Sequence, residues 1–168
     1  MRENLKNKTK VVRILAFFMV MVLLAGNTIT PVSAKSKGYK FTYKKVSVYM
    51  GSPAKKLINK AGKPISKKVT KSCAYKGKDR TYKYKNFILY TYSNSDKGKE
   101  YISGITLLTN KVKTKEGIKI GSTLKQVQKK YGKAKAKFGI YTYKKGNCKL
   151  QIEVTDNVVT NLRYVKVK

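Results

Sequence analysis

The sequence predicts an α+β fold of two tandem repeats, each a short helix packed on a small antiparallel β-meander, with the two sheets continuous. Three observations lead there. The stretch Gly51-Ser52-Pro53-Ala54-Lys55-Lys56-Leu57-Ile58-Asn59-Lys60-Ala61-Gly62-Lys63 returns seventy positions later as Gly121-Ser122-Thr123-Leu124-Lys125-Gln126-Val127-Gln128-Lys129-Lys130-Tyr131-Gly132-Lys133. In the first copy Ala54, Leu57, Ile58 and Ala61 fall at i, i+3, i+4 and i+7, one apolar stripe opposite Lys55, Lys56, Asn59 and Lys60. Each copy is followed by short runs alternating apolar and polar residues between turn formers, which is the pattern of adjacent strands.

Arg2, Lys6, Lys8, Lys10 and Arg13 precede the apolar run Ile14 to Ala25, and Val32-Ser33-Ala34 is a small-residue cleavage site. Residues 1–34 are therefore expected to be a secretory signal peptide, cleaved after Ala34. The uncharged stretch Ile14 to Ile29 is shorter than the roughly 18 to 20 residues a spanning helix requires, so no transmembrane span is expected in the mature chain. Asn27 stands where a lipoprotein signal needs cysteine. The expected location is secreted or cell-wall associated.

Of the 168 residues, 134 would remain, carrying 35 basic and six acidic side chains, a charge of +29. Such a chain attracts polyanions: anionic cell-wall polymer, a lipid surface or, non-specifically, nucleic acid. Residues 35–45 read as a basic lead, disordered in its first half and a possible edge strand in its second. Val46, Val48 and Met50 alternate into a strand. Ser52 then reads as the helix N-cap, Pro53 as its first residue and Gly62 as its stop.

The first repeat is expected over 46–110 and the second over 111–168. Tyr82 and Tyr84 align with Tyr141 and Tyr143 at an offset of fifty-nine, so the first repeat carries a polar insertion, residues 65–80. Strands are expected at Tyr82 to Tyr84, Phe87 to Tyr92 and Tyr101 to Leu108, then at Ile118 to Ile120, Ile140 to Tyr143, Lys149 to Thr155 and Val158 to Val167. Alternation turns Phe87, Leu89, Ile105, Leu107, Leu150, Ile152, Val154, Leu162 and Tyr164 inward. It leaves Ile88, Tyr90, Tyr92, Ile102, Thr106 and Leu108 outward, an apolar outer face where solvated sheets usually carry polar residues.

The chain has no histidine, which removes the commonest general base and most zinc sites. Cys73 and Cys148 lie seventy-five apart, too far in sequence for a CxxC redox pair. In an exported protein they are a candidate disulfide. Asp79, Asp96, Glu100, Glu116, Glu153 and Asp156 form no calcium loop, and no phosphate-cradling glycine loop is present. No catalytic residue, metal or cofactor is expected. The candidate binding residues are Tyr90, Tyr92, Ile88, Thr106, Lys149 and Arg163, on the outer sheet face.

The doubled pattern of Ile/Met-Gly-Ser, a short capped helix, Ala-Gly or Tyr-Gly, Tyr-x-Tyr and two further strands resembles the tandem module of beta-lactamase inhibitory protein and the small outer-membrane assembly lipoproteins. The segments Ser72 to Asp79, Tyr82-Lys83-Tyr84, Tyr101-Ile102-Ser103 and Thr114 to Ile118 resemble more closely exported Gram-positive modules of unassigned function. The resemblance implies a sheet whose free face holds a partner protein. The function expected is a secreted, non-enzymatic, strongly basic binding module of the bacterial cell envelope, contacting a protein or anionic wall polymer through its outer sheet face. The alternative is a proteinaceous inhibitor of an exported hydrolase.

Overall fold

The computed structural model describes residues 38–73 and 76–167, so the expected signal peptide lies outside the described residues. Strands β1 (Phe41–Tyr43) and β2 (Val46–Val48) form a hairpin and are followed by helix α1 (Lys55–Ala61). Next come β3 (Ser66–Lys71), β4 (Lys78–Lys83), β5 (Phe87–Ser93) and β6 (Glu100–Leu107). Helix α2 (Leu124–Tyr131) precedes β7 (Ile140–Lys145), β8 (Cys148–Thr155) and β9 (Val158–Lys166). Strands β3 to β9 form one antiparallel sheet in the order β3-β4-β5-β6-β9-β8-β7.

This corrects the expected α+β class. Strand accounts for 46% and helix for 12% of the described residues, so the fold is mostly β, a seven-stranded sheet with a two-stranded one, and not two repeats each built on a helix. Two segments shift the balance. The polar stretch expected to be an insertion, 65–80, supplies β3 and the start of β4, and Lys67, Lys68 and Lys71 make its exposed edge strand read like a loop. Charged residues on an edge strand block further strand pairing, so polarity there is compatible with a strand.

The lead segment is the second. Its second half forms the expected strand, β1, but Phe41 on that strand is fully buried, its ring 5.5 Å from that of Phe87 and 5.7 Å from that of Tyr164. Burying one phenylalanine contributes about 1.5 to 3 kcal/mol, enough to order a three-residue strand that polar neighbours alone would leave free.

The core lies between the inner face of the large sheet and a layer made by the β1–β2 hairpin and both helices, with Leu57 and Val127 fully buried from above. Phe87, Leu89, Ile105, Leu107, Leu150, Ile152, Leu162 and Tyr164 point into it, as alternation predicts, while Val154 is half-buried beside a register shift at Glu153/Val154. Turn chemistry is equally direct at Asp156 and Asn157, whose φ angles of 50° and 62° suit a two-residue hairpin turn between β8 and β9.

Local expectations fail in two places. The N-cap of α1 is Ala54, with no side-chain cap, because the Ser52 hydroxyl instead donates to the Tyr49 carbonyl at 2.8 Å. In α2 the cap is Thr123, paired reciprocally with Gln126. Ile118 to Ile120 is not a strand; Ile118 is buried with its N–H donated to the Thr114 hydroxyl at 3.1 Å.

Candidate functional site

The outer face of the sheet can be read as rows of paired residues. One row runs Lys83, Ile88, Thr106, Arg163, Gln151, Thr142, and the next runs Lys68, Thr81, Tyr90, Gly104, Val165, Lys149, Lys144. Tyr92 stands one row further, between Asp79 and Tyr101. The six candidate residues Ile88, Tyr90, Tyr92, Thr106, Lys149 and Arg163 therefore share one face.

A register shift shapes this face. Tyr90 opposes Gly104 but Thr91 opposes Ile102, so Ser103 is the extra residue of a bulge in β6. Past the bulge the alternation of β6 inverts. Ile102, expected outward, is fully buried in the core, and Tyr101 takes the outer position, its ring 5.7 Å from that of Tyr92. Leu108, also expected in the outward set, lies beyond the end of β6 and is exposed.

Beside the bulge lies a cavity of about 530 Å³, with Gly104 in its lining, Tyr90 and Tyr92 on one side and Arg163, Val165 and Lys166 on the other. A Cβ on Gly104 would stand 3.1 Å from the Tyr164 carbonyl oxygen and 3.5 Å from the Tyr90 ring. A side chain here would crowd the Tyr164 carbonyl, so glycine suits this close approach in the middle of a strand. The Lys166 ammonium sits 5.3 Å over the Tyr92 ring, a cation–π contact, and Tyr92, expected to be presented outward, is buried. Tyr90 is half-exposed and Arg163 exposed, while Asp79 is an acid in the same lining.

Three of the six candidates line the cavity: Tyr90, Tyr92 and Arg163. Ile88, Thr106 and Lys149 lie on the face outside it, and Thr106 is buried rather than presented. Gly104, Asp79, Val165 and Lys166 were not among the candidates. Ser103-Gly104 inside an otherwise regular strand pattern is the signal that points to the bulge and to close backbone approach.

The inner face carries a polar cluster at the margin of the core. The Glu100 carboxylate accepts from the Tyr82 hydroxyl at 2.9 Å and the Thr91 hydroxyl at 3.0 Å, and pairs with the Arg80 guanidinium at 3.4 Å. Burial first, then the hydrogen bond to Glu100, pushes the Tyr82 hydroxyl far above the usual phenol range. Arg80 also reaches the Ser93 hydroxyl at 3.2 Å. Each group is matched, so the cluster ties β4 to β5 and β6 rather than leaving a reactive carboxylate. Among the described residues no three His, Cys, Asp or Glu side chains converge as a metal site, and no helix is long and apolar enough to cross a membrane.

The candidate disulfide is not formed: both cysteines are free, Cys73 exposed and Cys148 buried. Cys148 is in β8 and Cys73 just beyond β3, five strand positions apart in the sheet. At about 4.8 Å per strand that is roughly 24 Å, against a Cα separation of less than about 7 Å for a bridge. Burial pushes the Cys148 thiol up to about 11, opposed by hydrogen bonds from the backbone of Tyr39 and Val165.

Compared with protein-family models, curated proteins and solved structures, the chain matches none.

Proposed function

We propose that the chain is a secreted, non-enzymatic binding module, held at the bacterial cell envelope by its charge and contacting its partner through the outer face of the large sheet. The observation that carries the reading is the cavity over Gly104, where two tyrosines meet the cations Arg163 and Lys166 on a sheet face away from the core. The surplus of 29 positive charges that cleavage after Ala34 would leave favours anionic wall polymer as the surface on which it is retained. The expected cleavage after Ala34 would leave the buried Gly38 and Phe41 in the mature chain.

Binding of the protein to purified wall polymer is expected to weaken steeply between low salt and 1 M salt, as the Debye length contracts to about 3 Å. Retention that does not change with salt would refute the electrostatic attachment. Arg163→Ala is expected to lower retention at moderate salt, and an unchanged profile would count against the face.

A further inference from the structure

We infer that the cavity over Gly104 is a binding site for an acidic saccharide, a sugar ring bearing a carboxylate or a phosphate. This rests on the binding-module reading and names the ligand class of the same face. The argument begins with the floor. Gly104 lies mid-sheet, paired with Tyr90 on β5 and Val165 on β9, so its strand has no free edge. An extended peptide gains affinity by adding main-chain hydrogen bonds to an open strand, and this site offers none. The ligand must be held by side chains alone.

Those side chains divide into three chemistries. Tyr90 leans over the glycine and presents a half-exposed ring, a negative π face suited to the C–H side of a sugar. Arg163 offers a planar fork of N–H donors for a carboxylate or phosphate, and Lys166, positioned by the Tyr92 ring, adds a second cation. Asp79 is acceptor-only, matching sugar hydroxyls. A polymer of phosphates without rings gains nothing from Tyr90 and meets Asp79 as a like charge. A nucleic acid strand needs a succession of free aromatic faces, whereas the Tyr92 ring is already occupied by Lys166 and flanked by Tyr101. A cavity of about 530 Å³ is of the size that takes a small ligand.

The test is a titration of the ¹⁵N-labelled full chain, expressed with its N-terminal segment so that processing occurs, with the Gly104 and Val165 amides as reporters. The probes are trigalacturonate, glucose 6-phosphate, maltotriose, glycerol phosphate and oligothymidylate. Saturable shifts at Gly104 with trigalacturonate or glucose 6-phosphate, and weaker ones with maltotriose or glycerol phosphate, are expected; which of the first two binds identifies the anion. Tyr90→Ala should weaken binding on the order of tenfold while Tyr90→Phe keeps it, and Arg163→Gln, at an exposed position, should weaken it without disturbing the fold. No shift at Gly104 with either acidic sugar, equal binding by Tyr90→Ala, or tighter binding of glycerol phosphate or oligothymidylate would overturn the proposal. Salt-sensitive retention on wall polymer alongside any of those results would leave the envelope reading standing and remove only the saccharide site.

Discussion

Replacing Glu100 tests how the polar edge of the core is held. Its carboxylate receives the Tyr82 and Thr91 hydroxyls at 2.9 and 3.0 Å and the Arg80 guanidinium at 3.4 Å, with side chains only 24% and 11% exposed for Glu100 and Arg80. Hydrogen bonds to a charged partner contribute about 1.5 to 3 kcal/mol each, and leaving a largely buried charge without its partner costs about 3 to 5 kcal/mol. The two hydroxyls and the guanidinium act as one network, so their losses do not simply add. Glu100→Ala is therefore expected to destabilise by about 3 to 4 kcal/mol. Water entering the vacated space limits the loss. Glu100→Gln keeps one acceptor oxygen but not the ion pair, and should cost about 1 to 2 kcal/mol. Urea unfolding followed by far-ultraviolet circular dichroism gives both values, with the slope checked for constancy. If Glu100→Ala costs less than about 1 kcal/mol at an unchanged slope, the cluster is not a stabilising clamp between β4, β5 and β6.

Phe41→Ala empties a fully buried site between Phe87 and Tyr164 and is expected to cost about 3 to 5 kcal/mol; a midpoint shift equivalent to less than about 1 kcal/mol would place β1 outside the cooperative core. In the native protein a maleimide should modify Cys73 and leave Cys148 untouched until denaturant is added, and intact mass should not change on reduction. The Cys148 thiol, raised from an ordinary 9.0 to about 11, is more easily deprotonated in the unfolded chain. Its contribution is whole below pH 9 and is lost as pH climbs from about 9 through 11, for a total of about 2 to 3 kcal/mol. The raised hydroxyls of Tyr82, Tyr131 and Tyr164 act in the same direction at higher pH. Thermal melts of the wild type and Cys148→Ala between pH 8 and 10.5 should diverge in slope, and parallel curves would refute the assignment.

Much of the fold was legible from residues because the causes are local. A period of two marked β5, β6, β8 and β9 and most of their inward side chains, a 3.6-residue stripe marked α1, and Asp156-Asn157 marked a hairpin turn. Where the cause is not local the reading failed. Ser66 to Lys71 has no apolar alternation, since an edge strand exposed throughout owes its conformation to pairing with β4. The strand at Phe41 was legible but its place in the core was not, because Phe87 and Tyr164 arrive from 46 and 123 residues away to cover that ring.

The candidate face divides in the same way. Composition and order alone determined a strongly basic chain without histidine and placed Tyr90, Tyr92 and Arg163 on alternating positions that share a side. Tertiary structure decided the rest. One extra residue at Ser103 inverted the alternation of β6, sending Ile102 inward and bringing Tyr101 beside Tyr92. The direct pairing of β6 with β9 brought Arg163 and Lys166 to tyrosines some seventy residues earlier, with Gly104 as the floor between them. Register between distant strands is fixed by how whole faces pack, and a single bulge moves every side chain beyond it to the opposite face.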